Sequence, residues 1–432
     1  MNTHCKRPQG NRPERTGAAG KVCAVAAMIL CVAVSGWAGG KTLVQFNQTN
    51  GQWPSGPLIA DGAGNLYGTT QGGGTFEEGV VFKLIHTDTG GWRETVLYNF
   101  GTNTQDGGGP LGGLVFDAKG NLYGTTEGGG SMGAGTVYEL SRSSSGWTET
   151  IIYNFTGKRD GRSPHAGLVM DSAGNLYGTA EQGGGVKCYV NIGCGNVFKL
   201  SLSGTTWTLT NLHSFLGTNS STNTFDGATP QGALVFDAAG NLYGTTSVGG
   251  QYDYGTVFEL SASSGSFTYS VLYSFGGYST DGAFPESSLI LDASGNLYGT
   301  TFINVQGPLN GSVFELSPSG GTWTETLLYV FQGGTDGSQP LSPVTFDSAG
   351  NLYGTTSQGG DVNNCYQGSC GTVFIMTPVS GGGWKEAVLY HFTGGSDGST
   401  PVAGLLYDGT GFFGTAQRAG NNDNGTVFEI TP

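Results

Sequence analysis

The chain has 432 residues, a net charge of −14, only 11% charged residues and 81 glycines. So acidic a surface repels nucleic acid and anionic membranes, which sets both aside as partners. That much glycine would suit disorder, but a 37% apolar fraction, with 19 Tyr and 23 Phe at recurring positions, describes a packed β protein with many tight turns.

In chain order, Lys6, Arg7, Arg12, Arg15 and Lys21 precede an apolar run, Val22 to Val34, and a small-residue exit, Ser35-Gly36-Trp37-Ala38. This is the layout of an export signal, and so short an apolar core does not span a bilayer. The expectation is a signal peptide over 1–38, with an uncleaved anchor as the rival reading, and one mature domain over 39–432. Residues 1–38 hold five basic residues and one acid, so the mature charge is −18. No later segment is apolar enough to span a membrane, and the expected destination is the periplasm or the cell exterior.

From Thr42 onward the sequence repeats itself. Gly-Asn-Leu-Tyr-Gly-Thr begins at Gly64, Gly120, Gly174, Gly240, Gly295 and Gly350, and Gly411-Phe412-Phe413-Gly414-Thr415 is a degenerate seventh copy. The second unit offers four strand-like pieces, Leu114–Asp117, Asn121–Thr126, Thr136–Leu140 and Trp147–Phe155, rich in Val, Ile, Thr, Tyr and Phe. Seven such units predict an all-β, seven-bladed propeller with four antiparallel strands per blade. A parallel β-helix would need coils of about half this length. Thr42–Phe46 reads as a fourth strand and Thr426–Ile430 as a third, so the N-terminal strand is expected to pair with the last three and close the ring.

Two rows of Asp recur in register. Asp61, Asp117, Asp171, Asp237, Asp292, Asp347 and Asp408 precede the Gly-Asn turn, while Asp106, Asp160, Asp226, Asp281, Asp336 and Asp397 stand in Asp-Gly turns with Pro four residues after the Asp. Asp bonds its own backbone in turns, and a residue present in every repeat is structural, because chemistry needs one site. Glu94, Glu149, Glu325 and Glu386 recur on the outer strand and are read the same way.

Cys188 with Cys194, and Cys365 with Cys370, are close pairs in an exported chain and are expected to be disulfides. A four-thiolate metal site is the alternative, disfavoured by the spacing and by the three repeats between the pairs. No metal or cofactor is expected.

The strings G-N-L-Y-G-T, G-T-V-F-E-L and W-x-E-T-x-L-Y-x-F make the chain resemble the Gloeo/Verruco (GloVer) tandem-repeat family of bacterial exported proteins, across residues 42–432. The resemblance implies an exported repeat protein and brings no catalytic residues. Family members often carry a C-terminal sorting anchor, and this sequence departs from that pattern.

Length varies most in the loops between strands two and three and between strands four and one, which a four-stranded meander places on one face. That face is the expected functional one, with Tyr189, Tyr252, Tyr254 and Tyr366 as candidate sugar-stacking rings. Loop packing is the plainer role for them. Lys158, Arg159 and Arg162, with His165, form a basic cluster that could receive a uronate. No nucleophile elbow, zinc-protease motif or phosphate loop appears, and no catalytic residue is assigned. Glu77, Glu78 and Glu286 break the repeat consensus and are read as solvated surface carboxylates. The expected function is a monomeric, non-catalytic binding or scaffolding propeller for a polysaccharide or a cell-envelope protein. The alternatives are a polysaccharide hydrolase or lyase acting at the channel mouth, and a structural protein–protein module.

Overall fold

The computed structural model describes residues 39–88, 90–144, 146–185, 188, 192–219, 224–361, 365 and 369–432. The expected signal segment, residues 1–38, and the candidates Tyr189 and Tyr366 lie outside the described residues. Seven four-stranded antiparallel sheets follow one another along the chain and form the blades of a β-propeller. Blade 1 consists of Ile59–Ala60, Leu66–Thr70, Val80–His86 and Trp92–Asn99, each paired with the next. Blades 2 to 6 repeat that meander around their second strands, Leu122–Thr126, Leu176–Ala180, Leu242–Thr246, Leu297–Thr301 and Leu352–Thr356. Blade 7 holds Leu406–Tyr407, Phe412–Ala416 and Thr426–Thr431, and its fourth strand is Gly39–Gln45. That N-terminal strand pairs Gly39 with Thr431 and Gln45 with Thr426 and skips Leu43, as blade 1 skips Leu97 at the equivalent place.

Burial follows strand position. The second strand is wholly buried, the third buries most of its length, and the fourth alternates between exposed and half-buried, as an outer strand with one covered face must. Glycine sits mid-way along the second strand for a packing reason. A Cβ at Gly68 would meet the Phe82 ring at 2.6 Å, so the third-strand ring lies flat on bare backbone. The first strands are shorter than expected: Leu114–Asp117 contracts to Val115–Phe116, because Asp117 turns to accept hydrogen bonds from the backbone of Lys119 and Asn121.

Aromatic pairs join each blade to its neighbour. The last residue of each fourth-strand motif meets the third-strand ring of the following blade, as Phe46–Phe82, Phe100–Tyr138, Phe155–Phe198, Phe215–Phe258, Phe275–Phe314, Phe331–Phe374 and Phe392–Phe428. All have centroids 4.9–5.3 Å apart and planes crossed at 63–68°. Such edge-to-face pairs are each worth about 1 kcal/mol beyond the area they bury.

Both rows of Asp are structural. Asp61 accepts from the backbone and side chain of Asn65 and from the Tyr67 hydroxyl, the copies from Asp117 to Asp347 repeat this, and Asp408 accepts from Thr410 and Gly411 instead. Asp106, Asp160, Asp281, Asp336 and Asp397 each accept from a fourth-strand Tyr, and Asp226 bonds His213 instead. Both disulfides are formed.

Candidate functional site

Short ladders bind the strand four–one loop of every blade to its strand two–three loop. They run from Gln52 with Gly72 in blade 1, through Gly107–Gly108 with Gly128–Gly129 in blade 2, to Ser399 with Arg418 in blade 7. The two loop sets therefore share one face. In every blade the residue before the Pro stands in the left-handed region, at φ between +52° and +65°: Trp53, Gly109, Ser163, Thr229, Phe284, Gln339 and Thr400. Six of these are not glycine, so the fold holds them there against a cost on the order of 1 kcal/mol each. Hydrogen bonds do the holding. The Phe284 N–H donates to Tyr254 of the preceding blade, and its carbonyl accepts from Phe302 of its own.

This reversal drives the residue after the Pro inward. Ser55, Leu111, His165, Gln231, Glu286, Leu341 and Val402, one from each blade, line a single axial cavity of about 570 Å³, with Gln71, Glu127 and Gln417 also on its wall. Second-strand Thr hydroxyls fix the wall from the neighbouring blade, as Thr69 to the Gly112 carbonyl (3.1 Å), Thr125 to Ala166 (2.9 Å) and Thr245 to Ser287 (2.8 Å).

The wall is two-sided. Blades 3, 4 and 5 contribute an imidazole, an amide and a carboxyl, whereas blades 6 and 7 contribute Leu341 and Val402. Gln231 Nε2 donates to Glu181 Oε1 at 3.2 Å, and Gln417 Nε2 donates to Ser55 Oγ at 2.9 Å. Burial, and after it the charge of Glu181, push the Glu286 carboxyl up to about 7. Glu286 is thus half-buried in the channel and not the solvated surface carboxylate expected from sequence. Among the described residues no group of three or more His, Cys, Asp or Glu is placed to hold a metal ion.

The candidate residues fall in three places. His165 lines the channel, while Lys158 and Arg159 line a separate shallow groove with Tyr153, Thr156, Asp160 and Gly185. Arg162 is exposed, its backbone paired with Gln182. The left-handed Ser163 between them reverses the chain, so neighbours in sequence part company in space. Tyr252 is 43% exposed, whereas Tyr254 is half-buried and packs on Phe284 with ring centroids 5.7 Å apart. Both Tyr rings rest on Gly276 and Gly277. A Cβ at Gly276 would meet the Tyr254 ring at 2.3 Å, and one at Gly277 would meet the Tyr252 ring at 3.1 Å. Next to that bare floor stands Tyr278, 73% exposed, which the sequence reading did not single out. Phe76, Met132, Leu216 and Leu309 are further exposed apolar side chains in the loops of this face.

The model of the Gloeobacter/Verrucomicrobia repeat matches residues 35–192, 85–307 and 190–428. The chain belongs to that family. No curated protein matches this GloVer chain in sequence. Among solved structures it is similar to an ancestral GH74 enzyme, at 9% identity and TM-score 0.55, covering 92% of this chain and 51% of the other. It is also similar to the α-L-arabinanase of Penicillium chrysogenum complexed with arabinobiose, at 12% identity and TM-score 0.44, covering 91% and 97%. A third likeness is to a PL25 ulvan lyase, at 11% identity and TM-score 0.49, covering 90% and 96%. The GloVer chain spans about half the length of the GH74 enzyme. At these identities the likenesses show the fold alone.

The sequence did carry a signal for the channel residues. The position after Asp-Gly-x-x-Pro changes chemical class from blade to blade inside a frame that otherwise repeats, from Ser through Leu, His, Gln and Glu to Val.

Proposed function

We propose that this protein is an exported, monomeric carbohydrate-binding propeller that receives a glycan at the channel mouth. The observation that carries the reading is the two-sided wall of the channel, on the face that also exposes Tyr252 and Tyr278. Pyranose rings present apolar faces and a girdle of hydroxyls, and Leu341, Val402, Tyr252 and Tyr278 suit the first while Glu127, Gln231 and Glu286 suit the second. Propeller neighbours that act on carbohydrate support the class without naming a ligand. The basic run ahead of Val22 supports export, and the two disulfides are consistent with an oxidising compartment.

The test is retention of the protein on a panel of soluble and insoluble polysaccharides. Tyr252→Ala and Tyr278→Ala are each expected to weaken retention about 10-fold, since base-free stacking on a ring is worth ~1 kcal/mol or more. Retention of neither wild type nor variants on any glycan, together with a stable complex with a cell-envelope protein, would move the function to protein–protein contact.

A further inference from the structure

The axial cavity is sealed along its sides. At six of the seven joints a second-strand Thr hydroxyl donates to a carbonyl of the next blade, from Thr69 to Gly112 around to Thr355 to Pro401, at 2.8–3.4 Å. At the seventh joint Gln417 Nε2 donates to Ser55 Oγ at 2.9 Å. Between these ties the blades meet backbone to backbone. A Cβ at Gly112 would stand 2.5 Å from the Ala166 carbonyl carbon, and one at Gly232 would stand 2.6 Å from the Ser287 carbonyl oxygen. Where not even a methyl group fits between blades, a sugar ring cannot pass, so a ligand reaches the cavity only along its axis.

We propose that the channel takes the free end of an uncharged glycan chain, inserted along the axis, while the interior of the chain stays outside. This rests on the carbohydrate reading above and specifies which part of a glycan is recognised. A polymer laid across the face cannot enter a closed ring sideways. A folded-back loop would have to bring two lengths of chain into about 570 Å³. Cavities of roughly 300–1,000 Å³ enclose one drug-sized ligand, which is the size of a short terminal segment. Gln231 and Gln417 are already oriented on the wall by donating to Glu181 and Ser55, so little ordering remains to be done when hydroxyls arrive.

The class of glycan follows from charge. The ionisable side chains on the cavity wall are Glu127, His165 and Glu286, with no Lys or Arg among them. Two carboxyls and a net charge of −14 over the whole chain disfavour a terminal uronate or sulfate. The cations that could receive an anionic group, Lys158 and Arg159, line a different groove that shares no residue with the channel. The inserted end is therefore expected to be uncharged, as in a glucan, xylan, galactan or arabinan.

The experiment measures the protein bound by those four polysaccharides, each intact and after partial hydrolysis, together with a cyclic glucan and an oligogalacturonide. Shortening a neutral polymer to about one-tenth of its length is expected to raise the protein bound per gram about 10-fold, in step with the number of chain ends. The cyclic glucan, which has no end, and the oligogalacturonide are expected to bind none. Val402→Trp and Leu341→Trp each put a large ring into the bore from its apolar side and are expected to abolish binding of the shortened chains. Thermal unfolding shows whether each variant folds, and if neither does, the wild-type comparison of intact, shortened and cyclic chains decides alone. Binding that follows the mass of polymer instead of its ends, or binding of the cyclic glucan, overturns axial insertion and leaves the carbohydrate reading standing. Binding that follows chain ends but survives in both folded Trp variants overturns the channel as its place. Preference for the oligogalacturonide overturns the uncharged class. No binding to any of these probes overturns both the insertion and the carbohydrate reading.

Discussion

Three outer-strand carboxyls make the stability of this propeller depend on pH, and Glu325→Gln isolates the effect. Glu325 of blade 5 faces Asp281, which is 2% exposed and lies in the loop entering that blade. Burial raises both carboxyls, and the nearby Asp281 raises Glu325 again, so Glu325 is pushed from 4.5 up to about 8. The pairs Glu149 with Asp106 and Glu386 with Asp336 repeat the arrangement, with the Glu raised to about 7 and about 8. Because the folded value lies above the unfolded one, the folded chain keeps a proton that the unfolded chain gives up. The contribution is present in full below about 4.5 and is lost as pH rises through about 8. Each tenfold step in acidity is worth about 1.4 kcal/mol, and three such steps would give about 4 kcal/mol. Solvent reaching the half-open side chain trims this to about 2 kcal/mol for Glu325. Gln is isosteric and cannot ionise, so Glu325→Gln should match wild type near pH 5 and exceed it by about 2 kcal/mol near pH 8. With an unfolding entropy of about 2 cal/mol/K per residue, that difference is about 2–3 °C in Tm for a domain of this size. Calorimetry at the two pH values reads it directly. A wild-type Tm that does not fall between pH 5 and pH 8, or a variant that loses stability at pH 8, would refute the raised Glu325 carboxyl.

The Cys194 carbonyl accepts from Thr229 (2.8 Å) and the Cys370 carbonyl from Thr400 (2.9 Å), each one Pro away from a channel residue, Gln231 or Val402. Replacing Cys188 and Cys194 by Ser is therefore expected to cost about 2 kcal/mol in thermal unfolding and to weaken glycan retention, whereas the Cys365 and Cys370 pair should affect stability more than retention. Gly276→Val places a branched side chain at φ +95° and against the Tyr254 ring, so it should lower stability by about 2–3 kcal/mol in denaturant titration. Phe46→Ala removes a fully buried ring from the N-terminal strand and should cost about 3–4 kcal/mol, more than Tyr278→Ala, which should leave Tm unchanged.

How much of this was legible in the sequence depends on whether a signal repeats along the chain or arises between blades. The blades were legible because Leu-Tyr-Gly-Thr places a bare glycine under an aromatic ring in every unit, and no other residue fits there. Tyr252 was legible because loop length varies around it. The channel was not, because its residues sit at a position of fixed length, where the chemistry varies but the spacing does not. Glu286 looked like a surface acid because its burial comes from six other blades that converge only when the ring forms. Glu325 looked structural for its recurrence alone, although burial, and after it an Asp more than forty residues earlier, makes its carboxyl a weaker acid.

A repeat protein makes one site only by breaking its own symmetry, and this chain does so in two places. One is the channel, where seven equivalent positions carry six kinds of side chain. The other is the seam between blades 7 and 1. There the second-strand Thr hydroxyl, which in the other blades donates to the next blade's loop, is Thr415, buried and without a partner. Gly40 also stands where the outer strands of blades 1, 2, 5 and 6 carry Glu94, Glu149, Glu325 and Glu386, and the Tyr390 ring occupies the space a side chain would need. The seam therefore lacks the Thr hydrogen bond that the others have and a carboxyl that four of them carry, and is joined by the Phe46–Phe82 contact and by Gln417 Nε2 donating to Ser55 Oγ. With the Thr tie missing, its amides should exchange first. Hydrogen exchange that is faster at Gly39–Gln45 and Thr426–Thr431 than in the equivalent outer strands of blades 2 to 6 is the expected result, and equal protection would show that aromatic packing alone equalises the joints.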